Sequence, residues 1–334
     1  MNFLIVSRIS IPAKDRTLPC WNYLRSLGHT VTVEHPDSVP SSEQPDVIIC
    51  MGVTIMTEAF RAIERWPGVP LMAYNWDVYR WIWEPGQEGK VQAKHKSRPN
   101  EYNYLQWGDL LRRAREVWVP SHCTGLRTTQ WYGLTNWRVI LSACPWWEYE
   151  EKCKACDGHG GLRYEPGLLV TACNKCQGTG RVSGIRDDGY ALMCLREIPD
   201  PWWGVFEECC EELGIPYRCT RHEVSYREYQ EAVAHCRFLC APLYELSTGG
   251  LSLMEGYYHG KPVLISSSPW NGGADYFGPR AYYFEHGNCE DFKQKLLALY
   301  NRPTTPIGHR EYITENFSDQ RMVDDMVRAI AETS

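Results

Sequence analysis

The sequence predicts an α/β protein of two domains, each built on a parallel β-sheet covered by helices. Its 334 residues are enough for two domains of ordinary size. Apolar runs typical of buried strands alternate with helical patterns from residue 3 to residue 74, and this alternation favours a parallel sheet. The same order returns at 240–265, where a strand, a glycine turn, a helix and a second strand follow one another.

Six elements account for the first half of the first domain. In the helix predicted at 18–27, Trp21, Leu24 and Leu27 share one face, and Gly28 ends it. The predicted elements in order are strand 3–6, helix 18–27, strand 30–33, strand 46–50, helix 57–65 and strand 69–74. Ligands of such sheets bind at the carboxyl ends of the strands, which directs attention to the residues that follow them.

Composition and cysteine usage indicate a globular protein of a reducing compartment. Hydrophobic residues make up 43% and charged residues 23% of the chain. We find no apolar run of the roughly 18 residues that a membrane span needs, and the N-terminus lacks the basic start and cleavage site of a signal peptide. Fifteen cysteines, an odd number without a secretion signal, predict a cytoplasmic location.

The stretch 240–265 has the physical features of an anion site. Gly249 and Gly250 let backbone amides approach a ligand closely, and the helix that begins at Leu251 directs its unpaired N–H groups there. Glu255 in that helix can accept hydrogen bonds from ribose hydroxyls, and Glu245 before the turn can accept them from a sugar. Spacing alone equally allows an ordinary glycine-rich connection with surface glutamates.

This stretch, CAPLYELSTGGLSLMEGYYHGKPVLI, resembles the donor site of glycosyltransferase family 4. The resemblance implies a GT-B fold, in which two Rossmann-like domains face a cleft, and transfer from a nucleotide diphosphate sugar such as UDP-glucose with retention and without a catalytic metal. Glu245 and Glu255 match the two glutamates of the family, but they are two residues further apart than usual. Ser247 occupies the strict spacing.

Further donor contacts follow from the same resemblance. Arg196 matches an arginine that binds the diphosphate at a strand end. The family's nearby lysine is missing, and Lys261 is a candidate to replace it. Gly273 belongs to a Gly-Gly loop that resembles the one facing the donor sugar.

On the acceptor side, Asp77 matches the aspartate of a His-Asp pair, with Trp76 in place of histidine. Asp77 can accept or position the proton of the acceptor hydroxyl, although a helix N-cap is an equally good interpretation. Arg8 stands where the family has a glycine turn, and we expect it to contact an anion.

Two CxxCxGxG motifs at 153–160 and 173–180 predict a zinc site. Cys153, Cys156, Cys173 and Cys176 supply four thiolates for tetrahedral coordination. The motifs resemble the zinc-binding repeats of DnaJ-type chaperones. Because four cysteines leave no open coordination position, we expect this zinc to be structural.

A basic segment rich in aromatic residues points to the acceptor. The overall charge is −6, yet residues 90–115 contain seven Lys or Arg and two acids. Trp and Tyr at 79, 81, 83, 102, 104 and 107 lie among or beside basic residues that include Lys94, Lys96 and Arg98. Such a mixture suits flipped or single-stranded nucleotides, although a solvated basic loop beside core aromatics is the plainer interpretation.

These observations favour DNA carrying a hydroxymethylated pyrimidine, such as 5-hydroxymethylcytosine, as the acceptor of a virus-encoded (bacteriophage) enzyme. Two alternatives are a peripheral enzyme of cell-envelope or lipid-linked glycan synthesis and an inactive scaffold that binds nucleic acid through its zinc module. The expected divisions are an acceptor domain at 1–145, a zinc-binding insertion at 146–188, a nucleotide-sugar domain at 189–318 and a C-terminal helix at 319–334 that packs back between the domains.

Overall fold

The computed structural model describes most of the chain. The described residues are 1–6, 18–34, 43–52, 56–76, 104–144, 150–152, 161–165, 168–172, 181–183, 185–194, 202–220, 224–242, 250–302 and 309–333. The strands are β1 (Asn2–Val6), β2 (Thr30–Glu34), β3 (Val47–Cys50), β4 (Leu71–Tyr74), β5 (Glu116–Val119), β6 (Trp137–Val139), β7 (Glu150–Lys152), β8 (Gly161–Glu165), β9 (Leu168–Ala172), β10 (Arg181–Ser183), β11 (Ala191–Cys194), β12 (Tyr217–Thr220), β13 (Phe238–Ala241), β14 (Val263–Ser266) and β15 (Tyr282–Phe284). The helices are α1 (Leu18–Ser26), α2 (Met56–Arg65), α3 (Tyr104–Arg113), α4 (His122–Tyr132), α5 (Trp202–Leu213), α6 (Tyr226–His235), α7 (Leu251–Tyr258), α8 (Gly273–Phe277), α9 (Cys289–Asn301), α10 (His309–Asn316) and α11 (Asp319–Thr333).

The first sheet has six parallel strands in the order β2-β1-β3-β4-β5-β6. Strands β1, β3 and β4 are apolar and buried on both faces, as expected of central strands in a parallel sheet. In α1, Trp21 and Leu24 are buried as the helical pattern predicts, but Leu27 is 45% exposed. Leu27 lies beyond the end of the helix because the chain turns at Gly28, whose φ is 86°.

The second sheet has five parallel strands in the order β12-β11-β13-β14-β15. Alternate residues of a strand belong to different apolar cores, because successive side chains point to opposite faces. In β13, Leu239 packs with α7 in one core, whereas Phe238 and Cys240 belong to the core on the other face. The expectation of two parallel-sheet domains is confirmed.

Two short antiparallel ladders lie between the sheets in sequence. Strand β7 pairs with β10, and β8 pairs with β9.

The C-terminal helix α11 packs against α1, where Met322 and Met326 join the core of the first sheet. Among the residues described, we find no helix long and apolar enough to cross a membrane.

Candidate functional site

Glu255 is the most thoroughly positioned of the predicted site residues. It is 2% exposed, although it is a carboxylate, and the hydroxyl of Tyr229 in α6 donates a hydrogen bond to its Oε2. A buried carboxylate is costly unless it is hydrogen-bonded, so this contact fixes both its place and its orientation. Tyr229 was not identified from the sequence.

A glycine next to Glu255 brings its helix close to the sheet. A Cβ at Gly256 would lie 2.2 Å from Cδ1 of Leu239, so only glycine allows α7 to pack this tightly on β13. At the other end, Gly250 precedes α7 with φ 77° and ψ 108°, and it carries no side chain to cap the helix. The start of α7 therefore directs its first amides toward the carboxyl edge of the second sheet, where an anion can bind.

The end of strand β11 lies close to Glu255. Cys194, the last residue of β11, lies close enough for the charge of Glu255 to act on its thiol, and it hydrogen-bonds to Thr220 at the end of β12. Burial, with a smaller contribution from Glu255, raises the pKa of Cys194 to about 12. The thiol therefore stays protonated at neutral pH.

Two aromatic side chains of α6 lie beside Glu255. The rings of Tyr226 and Tyr229 are stacked with centroids 6.1 Å apart, and Tyr226 is 56% exposed. Both lie in the first turn of α6, which Ser225 and Glu228 cap reciprocally, Ser225 Oγ accepting from the Glu228 amide at 3.2 Å. The cap holds an exposed aromatic face beside the buried carboxylate, an arrangement that suits the base of a nucleotide.

The loop after β14 joins this edge to the first domain. Helix α8 follows the loop, and the hydroxyl of its Tyr276 donates to the carbonyl of Pro120, 2.9 Å away at the end of β5. Asp275 accepts from the backbone amide of His122 at 2.9 Å and contacts its ring nitrogen at 2.6 Å. The carboxyl edges of the two sheets are thus linked directly by these hydrogen bonds.

On the first domain, the candidate acceptor residue Trp76 lies at the carboxyl end of β4. Its ring centroid is 4.4 Å from that of Tyr74, and its Cδ1 would lie 3.4 Å from a Cβ at Gly52, which follows β3. The preceding residue, Asn75, is fully buried, donates to Thr128 at 3.0 Å and accepts from Trp107 at 2.9 Å. Asn75, which sequence reasoning missed, therefore fixes how the chain leaves β4 toward Asp77.

The structure corrects the assignment of Lys261. This lysine precedes β14, and its Nζ donates to the carbonyl of Arg186 at 2.6 Å, ahead of β11. Both positions are at the amino edge of the second sheet, the edge opposite to Gly250. Burial lowers the pKa of Lys261, and its side chain is 5% exposed. We therefore exclude Lys261 from the candidate donor site.

Part of the basic segment 90–115 lies at the amino edge of the first sheet. Trp107 is fully buried in the first core, so it cannot stack on a nucleotide. Arg112 pairs with Asp109, and Arg113 lies over the ring of Phe60. These arginines are at the end of α3, and the amide of Arg115 bonds to the first residue of β4, which places them at the amino edge of the sheet. Three of the seven basic residues therefore lie away from the cleft.

Several predicted residues lie outside the described part of the chain. They are Arg8, Asp77, Lys94, Lys96, Arg98, Arg196, Glu245, Ser247, Gly249 and the four cysteines Cys153, Cys156, Cys173 and Cys176. Gly250, Leu251, Glu255 and Gly273 are described. Gly250, Leu251 and Gly273 lie at the carboxyl edge of the second sheet, and Glu255 lies in the second turn of α7, close to Cys194 at the end of β11.

The two ladders between the sheets bear on the zinc prediction. Lys152 pairs with Arg181 in one ladder, and Gly161 pairs with Ala172 in the other. In sequence, each CxxCxGxG motif lies between a strand of the first ladder and a strand of the second, and the residues that flank the two motifs are paired with each other. This arrangement and the four thiols fit a tetrahedral zinc site. Among the described residues, which do not include these cysteines, no group of three or more metal-ligating side chains is found.

Known proteins share the architecture rather than the sequence. We find no matching family model and no match among curated proteins. Sucrose-phosphate synthase from Thermosynechococcus elongatus superimposes with a TM-score of 0.61 at 12% identity, covering 99% of this chain and 98% of that one. Anabaena HepE in complex with UDP and glucose gives 0.54 at 12% identity, covering 99% and 100%. The lipopolysaccharide outer core galactosyltransferase WaaB in its apo form gives 0.57 at 11% identity, covering the whole of both chains. The GT-B fold implied by the resemblance is confirmed.

Proposed function

We propose that the protein is a glycosyltransferase that moves a sugar from a nucleotide diphosphate sugar to a hydroxyl acceptor with retention of configuration. The observation that carries the proposal is the buried, hydrogen-bonded carboxylate of Glu255 next to the start of α7 in a GT-B fold. HepE, which has this fold, is described with UDP and glucose bound. A nucleoside diphosphate suits the edge, since it offers hydroxyls to Glu255 and an anion to the helix.

The donor is arranged along this edge. Its ribose hydroxyls donate to Glu255, and its diphosphate meets the amides of Gly250 and Leu251 at the start of α7. Arg196, which follows β11, neutralises the diphosphate from the neighbouring strand end. Glu245, with Ser247 and Gly249 in the same turn, faces the sugar. The family resemblance supports the roles of Arg196 and this turn.

The reaction needs positioning more than covalent chemistry from the protein. The acceptor oxygen attacks the anomeric carbon from the face that the diphosphate leaves. The bond from this carbon to the diphosphate oxygen breaks, and the acceptor's proton passes to the departing phosphate. Asp77, two residues after the fixed Asn75, positions the acceptor hydroxyl. Holding the two substrates in this geometry and stabilising the leaving charge then provide the catalysis.

The acceptor we propose is a 5-hydroxymethylpyrimidine in DNA. The support is the pattern of charge and aromatic residues between β4 and α3, where Lys94, Lys96 and Arg98 are candidates to contact phosphates. This segment leaves the carboxyl end of β4, where Trp76 is a further candidate contact, and Arg8, two residues after β1 in sequence, is another. The zinc module, held by its two ladders, is proposed to be structural and to use Cys153, Cys156, Cys173 and Cys176.

Two triple charge-reversal variants test whether DNA is the acceptor. Changing Lys94, Lys96 and Arg98 to Glu should abolish transfer to DNA and spare slow hydrolysis of the donor, because the donor binds on the other domain. Binding of the unaltered protein to DNA should also weaken steeply with salt, since each neutralised phosphate releases counterions. The matched control changes Arg112, Arg113 and Arg115 to Glu. These three residues carry the same total charge and lie at the amino edge of the first sheet. This control should keep its transfer activity.

Competition between duplex DNA and anionic vesicles at fixed ionic strength decides between the two acceptor classes. Preference for DNA supports the proposal, whereas preference for vesicles, or equal transfer by both triple variants, contradicts a DNA acceptor. An envelope or lipid-linked acceptor would then be favoured. Failure to hydrolyse any nucleotide sugar would instead favour the inactive scaffold.

A further inference from the structure

The loop 267–272 lies where the two domains meet. It follows β14 at the carboxyl edge of the second sheet and leads into α8, which contacts the end of β5 through Tyr276. Within the loop, the ring of Trp270 lies 4.8 Å from the guanidinium of Arg127, a residue of α4 in the first domain. A ligand that bridges the two carboxyl edges therefore passes this loop.

Asn271 in this loop has an amide whose orientation is determined. Its Oδ1 accepts from the backbone amide of Gly273 at 2.8 Å, so the other terminal atom is the NH₂ donor. Gly273 is needed for this contact, because a Cβ there would be 2.9 Å from Oδ1 and 2.6 Å from Cδ1 of Ile265. The amide is thus pinned with its Nδ2 directed away from Gly273.

That Nδ2 is buried without an acceptor from the protein. Asn271 is 6% exposed, and no acceptor in the part of the chain that the structure describes reaches its Nδ2. Nearby polar side chains of the loop do have partners: Ser266 accepts from the amide of Ser268, and Ser268 accepts from that of Trp270. A buried donor left unmet is costly, so an acceptor from a ligand stabilises this arrangement.

We propose that Asn271 determines which sugar the protein accepts, by donating from Nδ2 to a hydroxyl oxygen of the donor sugar. This inference rests on the proposed function and deepens it. A hexose with a hydroxyl in the right place satisfies the amide, whereas an epimer that directs this hydroxyl elsewhere leaves the buried donor unmet. Sites that hydrogen-bond a substrate hydroxyl discriminate strongly for this reason.

Two substitutions at Asn271 test the assignment. Asn271→Ser keeps a side-chain oxygen for the Gly273 amide and removes the NH₂ group without adding charge. Asn271→Asp keeps the shape of the side chain and the oxygen that accepts from Gly273, but it replaces the NH₂ group with a second oxygen. The control is Asn288→Ser, because Asn288 caps α9 by accepting from the amide of Asp291 at 3.0 Å, on the far side of β15.

The readout is calorimetric affinity for UDP against UDP-glucose and UDP-galactose, and for ADP against ADP-glucose, with melting temperatures as a check on folding. Both Asn271 variants should bind the preferred nucleotide sugar about tenfold more weakly, bind the free nucleoside diphosphate within about twofold of the unaltered protein, and lose preference between the epimers. Asn288→Ser should change none of these affinities.

Several results would overturn the assignment. An unchanged affinity of Asn271→Ser for the nucleotide sugar means that water, not sugar, satisfies the amide. If only Asn271→Asp weakens binding of the nucleotide sugar, the cause is charge repulsion. If the variants bind nucleotides with and without a sugar equally more weakly, the cause is a changed shape of the loop. If the unaltered protein binds none of these compounds, the proposed function itself fails, and the assignment of Asn271 falls with it.

Discussion

Removing the hydroxyl of Tyr229 tests the donor site through a residue that we do not expect to touch the sugar. Tyr229→Phe keeps the ring that stacks on Tyr226 and deletes the hydroxyl that donates to Glu255. A hydrogen bond to a charged group contributes about 1.5–3 kcal/mol, and 1.4 kcal/mol corresponds to a factor of ten in affinity. Because Glu255 has other partners as well, the loss should lie near the lower limit, which raises the Kd for the nucleoside diphosphate about tenfold.

A double-mutant cycle measured by calorimetry separates this mechanism from a general loss of structure. Tyr229→Phe and Glu255→Gln should each weaken nucleotide binding, and the double variant should weaken it by less than the sum. The coupling should be at least about 0.5 kcal/mol, as is typical of residues in contact. Additive effects, or a Tyr229→Phe variant with unchanged affinity, would refute the claim that Tyr229 positions Glu255 for the ribose.

Three further predictions concern the rest of the fold. Metal analysis should find one equivalent of zinc, and Cys173→Ser should lose it while keeping nucleotide affinity; well below half an equivalent in the unaltered protein contradicts the site. Gly256→Ala should lower the free energy of unfolding by up to about 2 kcal/mol in denaturant titrations, because overpacking against Leu239 costs about 1–3 kcal/mol and helix propensity returns about 1. The control Gly204→Ala, whose Cβ would meet only a carboxylate oxygen 3.9 Å away, should stabilise α5 instead. Lys261→Met should leave nucleotide affinity within about twofold, and a tenfold loss would return Lys261 to the donor site.

The sequence predicted the parts of the site that depend on order along the chain. Alternating strands and helices imply a parallel sheet, and the sheet rule then places Gly250 and Glu255 at a carboxyl edge. Lys261 is a candidate in the sequence because the family's lysine after Arg196 is missing, but in the structure it lies at the opposite edge of the sheet. Helix α7 carries the chain about 12 Å at 1.5 Å per residue, from one edge of the sheet to the other.

Contacts between distant segments were beyond sequence reasoning. Tyr229 is 26 positions from Glu255, and a tyrosine in the first turn of a helix gives no indication of its partner. The sequence indicates a glycine loop around Gly273, but the buried NH₂ group of Asn271 in this loop is visible only in the folded structure. The arginines after Trp107 belong to the basic segment by their position in the sequence, whereas α3 carries them to the amino edge of the first sheet.

The most direct test of glycosyl transfer is mass spectrometry of hydroxymethylated duplex DNA incubated with the protein and a panel of nucleotide sugars. We expect that one nucleotide sugar adds the mass of a hexose to the hydroxymethylpyrimidine and releases its nucleoside diphosphate, and that Glu255→Ala strongly reduces both products. Modification of another acceptor would keep the transferase assignment and reject DNA. No release of nucleoside diphosphate from any donor, with or without an acceptor, would contradict the proposal that this cleft transfers sugars.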